Sequence, residues 1–325
     1  MSLYSPILAA LVTMLLTFII LHSKLGRGVQ DIPNERSLHQ IPIPRTGGVA
    51  LIMGVLAGWL LIANQLTWWV LLPLIALFAV SLLDDIFGLS VHKRMFVHLV
   101  ASVVLVAGSA LAGNQGVVVA LAILFLTVWM INLYNFMDGS DGLAGGMALF
   151  GFTFFGIAAL MNHNETFAML NFSISAAAMG FLFSNFYPAK IFMGDAGSIP
   201  LGFLAAAMGL WGWQQMLWEW WFPIFVFSPF IVDASITLIK RALRGVKITE
   251  AHREHYYQRA IQLVLGHRSV ALIEYVLMLA VGGSALFVLR EEFPVVVIGV
   301  WCLIFAFLMS FIEMQWKHFV SVDYE

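Results

Sequence analysis

Residues 116–161 read GVVVALAILFLTVWMINLYNFMDGSDGLAGGMALFGFTFFGIAALM, in which two apolar runs flank a short polar segment. The first run extends to Leu133 and the second begins at Gly145. A helix needs about 20 apolar residues to cross the hydrocarbon core of a bilayer. Both runs are close to that length and lack the alternation of a barrel strand. The stretch therefore predicts two membrane-spanning helices joined by a polar loop.

The same pattern recurs along the chain of 325 residues, of which 61% are hydrophobic and 10% are charged. A soluble domain carries about 25% charged residues. We therefore predict an all-α polytopic membrane protein, a single domain over residues 1–325, with about eleven transmembrane helices. The candidate spans are Tyr4–Leu21, Gly47–Leu66, Trp69–Leu83, Met95–Leu111, Gly116–Leu133, Gly145–Met161, Phe167–Phe186, Ile199–Trp213, Trp221–Ile239, Val270–Leu289 and Val295–Met314.

The basic residues predict the orientation in the membrane. Of the 16 Lys and Arg residues, 15 fall in alternate loops and the C-terminal tail, and Arg290 alone falls in the other loops. Basic residues in short loops mark the cytoplasmic side. We expect these loops in the cytoplasm and the N-terminus outside. The net charge of −2 indicates no nucleic-acid partner.

Five polar islands lie on the predicted cytoplasmic side, at residues 31–48, 84–94, 132–141, 185–198 and 240–268. They contain nearly all the carboxylates, amides, imidazoles and cations suited to catalysis. An integral membrane protein that gathers such groups on one face is expected to catalyse a reaction there. The first island is rich in proline, and a structured connector is as plausible for it as a substrate role.

The second island contains Asp84 and Asp85, followed by Lys93 and Arg94. Adjacent carboxylates repel each other, so they need a divalent cation or a nearby Lys or Arg. The alternative, a plain helix end in water, is weak because acids at a helix C-terminus oppose the macrodipole.

The third island places Asn132 and Asn135 three residues apart, on one face of a helix end. Two Asp-Gly pairs follow, at Asp138 and Asp141. Amide and carboxylate oxygens are ligands that Mg²⁺ accepts beside substrate phosphates. The alternative is a simple Asp-Gly turn between helices. Two Asp-Gly pairs that follow two asparagines make this alternative less favourable.

The fourth island places Asp195 in a glycine-flanked turn at the start of a helix. The free N–H groups of that helix would favour a bound phosphate, and Asp195 could hold a metal. The alternative is that Asp195 caps the helix.

The fifth island carries His252, Arg253 and His255, which suit a phosphate clamp; an amphipathic helix on anionic lipid is a compatible alternative. Within the preceding span, Asp233 is a functional candidate because ionisable groups at that depth are costly. Pro223 and Pro229 are expected to bend that span.

Together these motifs resemble the polyprenyl-phosphate N-acetylhexosamine 1-phosphate transferases, a branch of glycosyl transferase family 4. The motifs are Asp84-Asp85, Asn132-x-x-Asn135-x-x-Asp138-Gly139-x-Asp141-Gly142-Leu143-Ala144, Phe192-Met193-Gly194-Asp195-x-Gly197-Ser198, His252-x-x-His255, and the opening Asp31-x-Pro33-x-x-Arg36-Ser37-x-His39-x-x-Pro42-x-Pro44-x-x-Gly47-Gly48. Four motifs in the family's order on one face are specific, whereas any one alone is weak.

The resemblance implies transfer of a sugar 1-phosphate from a UDP-N-acetylhexosamine to undecaprenyl phosphate in a bacterial inner membrane, with UMP leaving. It implies Mg²⁺, with Mn²⁺ as a substitute, held by Asp195 and Asn135. The implied catalytic carboxylates are Asp84, Asp85, Asp138 and Asp141, with the first two at the acceptor phosphate. The implied substrate-binding residues are Lys93, Arg94, Asn185, Phe192, Gly139, His252, Arg253 and His255. A homodimer stays open.

The last loop separates branches of the family. The branch that builds the peptidoglycan precursor carries three consecutive histidines, whereas this chain has His252-Arg253-Glu254-His255. We therefore expect an enzyme that initiates O-antigen or common antigen, with a phospho-N-acetylmuramoyl-pentapeptide transferase as the alternative. The loop looks closer to N-acetylfucosamine enzymes than to N-acetylglucosamine enzymes. A secondary transporter is a more distant alternative, because the charges lie in loops rather than at the midplane.

Overall fold

The computed structural model describes residues 2–23, 29–32, 42–247 and 252–322. In these ranges the regular structure is helical except for a two-residue antiparallel pair, β1 (Gln30–Asp31) with β2 (Ile43–Pro44). The predicted all-α polytopic membrane fold is confirmed. The first-island motif residues Pro33, Arg36, Ser37 and His39 lie outside the described residues.

The helices follow the order of the predicted spans. They are α1 (Ser5–His22), α2 (Gly47–Leu60), α3 (Trp68–Phe87), α4 (Val91–Gly108), α5 (Leu111–Gln115), α6 (Val117–Phe136), α7 (Leu143–Met161), α8 (Glu165–Asn185), α9 (Asp195–Gln214), α10 (Trp221–Val226), α11 (Ser228–Leu243), α12 (Tyr256–Ala260), α13 (Gly266–Phe287) and α14 (Val295–Val322).

Within the described ranges, nine helices are long and apolar enough to cross a membrane. The other two predicted spans differ. Helix α2 has 14 residues and ends at Leu60 instead of Leu66. The span predicted at 221–239 is broken at Phe227 into α10 and α11. Pro229 lies at the start of α11 and lacks a backbone N–H, which accounts for the break. The number of crossings stays a prediction.

Helix α9 forms the centre of the bundle, with 89% of its span buried. Gly202 lets it approach α6 closely, since a Cβ there would lie 2.7 Å from the Met130 carbonyl oxygen. Small residues permit such close contacts between membrane helices. This contact sets α9, which begins at Asp195, beside the α6 face that carries Asn132 and Asn135.

Contacts among the polar islands bring all five to one end of the bundle, with the second joined to the fourth by the Ala196 N–H, which donates to Asp85 Oδ2 at 2.9 Å. The backbone N–H of Gly48 donates to the Met193 carbonyl at 2.8 Å, which joins the first and fourth islands. Ser198 Oγ donates to Asn135 Oδ1 at 2.8 Å, which joins the fourth and third. The Tyr257 hydroxyl donates to the Phe136 carbonyl at 3.1 Å, so the fifth island lies against the end of α6.

Candidate active site

Asp85 connects the end of α3 to the start of α9. Its side chain is 1% exposed, and Oδ1 accepts a 2.6 Å hydrogen bond from the Arg45 guanidinium. The same carboxylate accepts the backbone N–H groups of Asp195 at 3.2 Å and Ala196 at 2.9 Å. Asp85 therefore caps the N-terminus of α9 from a different helix.

This contact corrects two expectations about the fourth island. The N–H groups of Asp195 and Ala196 are engaged by Asp85, so the prediction that these groups are free for a phosphate is wrong. The alternative that Asp195 caps α9 is also wrong, because α9 has no side-chain cap hydrogen bond and Asp195 is its first residue. The Asp195 side chain instead extends toward two guanidinium groups.

Arg94 joins two of the carboxylates. Its Nη1 donates to Asp84 Oδ2 at 2.9 Å and to Asp195 Oδ2 at 3.0 Å. Asp84 is also fixed by the backbone N–H of Leu89, which donates to Oδ1 at 2.6 Å. The structure thus brings together Asp84, Asp195 and Arg94. Lys93, predicted alongside Arg94, is exposed on α4.

Arg45 is a site residue that the sequence reading missed. Its Nη2 lies 2.6 Å from Asp85 Oδ1 and 3.7 Å from Asp195 Oδ1. Burial opposes the charge, but Asp85 and Asp195 outweigh it and raise the pKa of the Arg45 guanidinium. The available signal was its position next to Pro44 in the first island, on the same predicted side as the acid-rich islands.

Asp138 adds a further carboxylate to this cluster. Burial, with Asp195 and Asp85 nearby, raises the pKa of the Asp138 carboxyl well above its ordinary value. Among the described residues, the carboxylates of Asp84, Asp85, Asp138 and Asp195 thus outnumber the guanidinium groups of Arg45 and Arg94. Burial opposes the ionised form of these carboxyl groups, and a cation bound among them would favour it.

The oxygen groups fit a magnesium ion. Asn135 Oδ1 is linked to the first turn of α9 through Ser198 Oγ, which lies three residues after Asp195. Mg²⁺ is usually held by one or two carboxylates, with water and substrate phosphates completing the shell. Asp195 and Asn135 would supply oxygen atoms of the right type.

His252 and His255 line a cavity of about 620 Å³. Their rings are 4.9 Å apart, centroid to centroid. Burial, with His255 and Arg241 nearby, lowers the pKa of His252 to about 4, so its imidazole is neutral at pH 7. The cavity lining also includes Arg94, Asn132, Asn135 and Gln258. Arg253 is half-buried beside His252.

Asn185 and Asp141, predicted at the site, hold neighbouring backbone. Asn185 is 3% exposed; its Oδ1 accepts the N–H of Gly142 at 3.1 Å and its Nδ2 donates to the Ile191 carbonyl at 2.9 Å. Asp141 Oδ2 accepts the N–H of Ala189 at 3.0 Å. Both side chains join the third island to the fourth.

Gly139 and Phe192 lie where the islands meet. A Cβ at Gly139 would lie 2.2 Å from the Tyr257 hydroxyl oxygen, so only glycine fits this approach. Phe192 is half-buried; its backbone N–H donates to the Pro44 carbonyl at 2.7 Å and its carbonyl accepts from Gly47 at 2.9 Å. The roles of both residues in binding stay predictions.

Comparison with known proteins identifies relatives of this arrangement. The model of "Glycosyl transferase family 4" matches residues 67–212. A probable undecaprenyl-phosphate N-acetylglucosaminyl 1-phosphate transferase of Bacillus subtilis is 28% identical, over 95% of this chain and 89% of that protein. A decaprenyl-phosphate N-acetylglucosaminephosphotransferase of Mycobacterium tuberculosis is 30% identical, over 76% of this chain and 72% of that protein.

A second branch is also similar. A phospho-N-acetylmuramoyl-pentapeptide-transferase of Listeria welshimeri is 25% identical, over 79% of this chain and 90% of that protein. The matched region of the family model contains Asp84, Asp138 and Asp195. The chain belongs to glycosyl transferase family 4, among the polyprenyl-phosphate sugar-1-phosphate transferases.

Proposed function

We propose that the protein transfers an N-acetylhexosamine 1-phosphate from a UDP-sugar to undecaprenyl phosphate and releases UMP. The observation that carries this proposal is the shape and polarity of the 620 Å³ cavity. Arg94 and the two histidines line one end of the cavity, and apolar side chains line the other end. Such a cavity suits a phosphate on a hydrocarbon tail.

The α6 wall shows this change in polarity. Asn135 and Asn132 line the polar end, and Trp129, Val128 and Phe125 follow them on the same helix face. From Asn135 to Phe125 the wall is about 15 Å long, at 1.5 Å per residue. That is about half of the 30 Å hydrocarbon core. We infer that the lipid tail enters sideways along this wall, where Leu238 of α11 also lines the cavity.

Phosphoryl transfer depends on charge neutralisation and alignment more than on covalent help from the protein. A phosphate oxygen of the lipid attacks the β-phosphorus of the UDP-sugar, and the bond from that phosphorus to the bridging oxygen breaks. The electron pair stays on the α-phosphate, which leaves as UMP. Bound at Asp195 and Asn135, Mg²⁺ would neutralise charge on the phosphates.

Three other residues would contact the phosphates or hold the site in place. Arg94, held between Asp84 and Asp195, lines the cavity and can contact a phosphate there. Asp85 holds the start of α9, and with it Asp195, in place. His252 is neutral at pH 7 and can donate a ring N–H without adding charge.

The experiment combines purified protein, Mg²⁺, undecaprenyl phosphate and one UDP-sugar at a time, with nucleotide analysis by chromatography. The panel contains UDP-linked N-acetylglucosamine, N-acetylgalactosamine, N-acetylfucosamine, N-acetylquinovosamine and the N-acetylmuramoyl pentapeptide. We expect UMP from at least one simple N-acetyl sugar. UMP from the pentapeptide donor alone would favour the peptidoglycan branch, and no UMP from any donor would overturn the proposal.

The names of the relatives and the loop sequence point to different sugars. The Bacillus and Mycobacterium relatives are named for N-acetylglucosamine, whereas the His252-Arg253-Glu254-His255 loop led us to expect N-acetylfucosamine. Both donors belong in the panel for that reason. In either case we propose that the product begins a surface polysaccharide, as O-antigen or a related polymer.

We also propose that the site faces the cytoplasm of a bacterial inner membrane. The support is the placement of 15 of the 16 basic residues on the side of the five islands. Single cysteines introduced at Lys93 and at Arg290 in a Cys302→Ala background would test it in intact cells. A membrane-impermeant thiol reagent should label position 290 and not position 93. The reverse result would contradict the orientation.

A further inference from the structure

A polar stripe runs along α11 behind the segment that carries the two histidines. Asp233, Thr237 and Arg241 are four residues apart, so they share one helix face. All three are buried, with relative exposures of 5%, 3% and 3%. The preference for cations on the cytoplasmic side accounts for Arg241. It does not account for Asp233, because a buried carboxylate is costly unless it is paired.

Asp233 is used to hold backbone at the start of α12. Its Oδ1 accepts the N–H of Tyr256 at 2.9 Å, and its Oδ2 accepts the N–H of Tyr257 at 2.9 Å. The Thr237 hydroxyl donates to Oδ1 at 3.2 Å. A carboxylate that accepts two backbone N–H groups fixes both the position and the direction of the chain. Residues 256 and 257 directly follow His255.

A second carboxylate holds the same segment from its other side. Glu254 accepts hydrogen bonds from Arg241 and Arg244, both on or next to the end of α11. Arg259 lies 3.7 Å from the same carboxylate. His255 is therefore held between one residue paired to α11 through its side chain and two residues paired to α11 through their backbone.

The His255 ring itself also faces Asp233. Nδ1 of His255 lies 3.4 Å from Asp233 Oδ1, with the two side chains 4% and 7% exposed. This Nδ1 is buried and makes no hydrogen bond of good geometry in the described residues, although the backbone N–H of Gln258 also faces the His255 side chain in a capping-box arrangement. The separation exceeds that of a good hydrogen bond. Catalytic hydrogen bonds often tighten when substrate binds, and a small rotation of the ring would close this one.

We propose that Asp233 is a positioning residue for the phosphates of the substrate, acting through His255. This inference rests on the proposed function. With Nδ1–H directed at Asp233, the imidazole is held in one tautomer and one orientation at the wall of the cavity that would receive the substrate phosphates. The other titratable groups near the ring, among the described residues, are His252 and Tyr257.

A double-mutant cycle tests whether Asp233 acts through His255. The variants are Asp233→Asn, His255→Gln and the double variant, each measured for kcat and for KM of the UDP-sugar. We expect each single variant to raise KM about tenfold, and the double variant to be no worse than His255→Gln alone. Independent effects that multiply to about a hundredfold would overturn the proposal, because uncoupled residues act additively in free energy.

The control is Glu274→Gln on α13. Glu274 is close enough to Asp233 to interact with it electrostatically, and the substitution makes the same acid-to-amide change on a neighbouring helix. We expect this variant to keep the KM of the wild type. A rise in KM equal to that of Asp233→Asn would show a general effect of replacing an acid in this part of the bundle and would overturn the role assigned to Asp233.

A spectroscopic measurement separates this proposal from the proposed function. Protein labelled with ¹⁵N-histidine, with the His255 signals assigned by their loss in His255→Gln, reports which ring nitrogen carries hydrogen. We expect hydrogen on Nδ1 of His255, and its loss in Asp233→Asn. Hydrogen on Nε2 alone in the wild type would overturn the inference. If no UDP-sugar is turned over, the proposed function fails, while this measurement still decides the role of Asp233.

Discussion

The carboxylate of Asp85 lies at the N-terminus of the helix that begins with Asp195, and accepts its N–H at 3.2 Å. The two residues are 110 positions apart in the chain. Asp85 thereby sets the position of Asp195, while Arg94 links Asp195 to Asp84 at 3.0 Å and 2.9 Å. The adjacent acids Asp84 and Asp85 thus have different surroundings and, we infer, different tasks.

This difference predicts different effects of substitution. Asp85→Asn replaces an acceptor with an amide N–H₂ among three donors, and should lower the free energy of unfolding by about 1–3 kcal/mol, the cost of an unsatisfied buried group. Asp84→Asn should reduce activity with a smaller effect on stability. Unfolding in detergent, followed by circular dichroism, measures the stability of both variants, and release of UMP measures their activity. Equal destabilisation by the two variants would contradict the assignment.

Asp195→Asn should abolish sugar transfer while the protein still folds. The amide cannot supply the charge needed to hold a divalent cation, and we expect the rate to fall by at least about 100-fold, the scale of a lost electrostatic contact in catalysis. Glu165→Gln is the matched control, since Glu165 is likewise in the first turn of a helix. Full activity of Asp195→Asn at millimolar Mg²⁺ would discard the metal assignment.

Arg45→Lys should be poorly tolerated although it keeps the charge. One Arg45 nitrogen serves both Asp85 and Asp195, and an ammonium does not reproduce the planar, rigid guanidinium. We expect a rate reduction of roughly tenfold, which corresponds to about 1.4 kcal/mol. Arg290→Lys, at an exposed position between α13 and α14, serves as the comparison. Wild-type rates for Arg45→Lys would show that its geometry is unimportant.

His252 should stay neutral across the physiological range. Its pKa is lowered from 6.5 to about 4, chiefly by burial. The unfolded chain therefore binds this proton before the folded protein does, and stability should decline as the pH falls from about 6.5 toward 4. His252→Gln should lessen that decline. An NMR titration of His252 with a midpoint near 6.5 would contradict the lowered pKa.

The membrane fold was largely predictable because continuous apolar runs indicate spanning helices directly. Pro223 and Pro229 also indicated the disturbed span, although not that it would divide at Phe227. The site was partly predictable. Asn132 and Asn135 do line one cavity, because residues spaced by three share a helix face. The two histidines line the same cavity from the non-helical segment before α12.

Contacts between distant segments could not be read in the same way. Nothing local to Asp85 indicates that it caps α9, and the N–H groups expected to bind phosphate are filled for that reason. Asp233 illustrates the same limit. Its depth predicted a function, but only the fold shows that it holds the backbone of Tyr256 and Tyr257.

The fate of the β-phosphorus tests the central claim most directly. UDP-N-acetylglucosamine labelled with ³²P at the β-phosphate, or the sugar that succeeds in the panel, would be incubated with the protein, Mg²⁺ and undecaprenyl phosphate. We predict that the label moves into the lipid extract and that unlabelled UMP remains in the aqueous phase. Label retained in aqueous UDP, with unlabelled sugar on the lipid, would mean ordinary glycosyl transfer and would contradict the account.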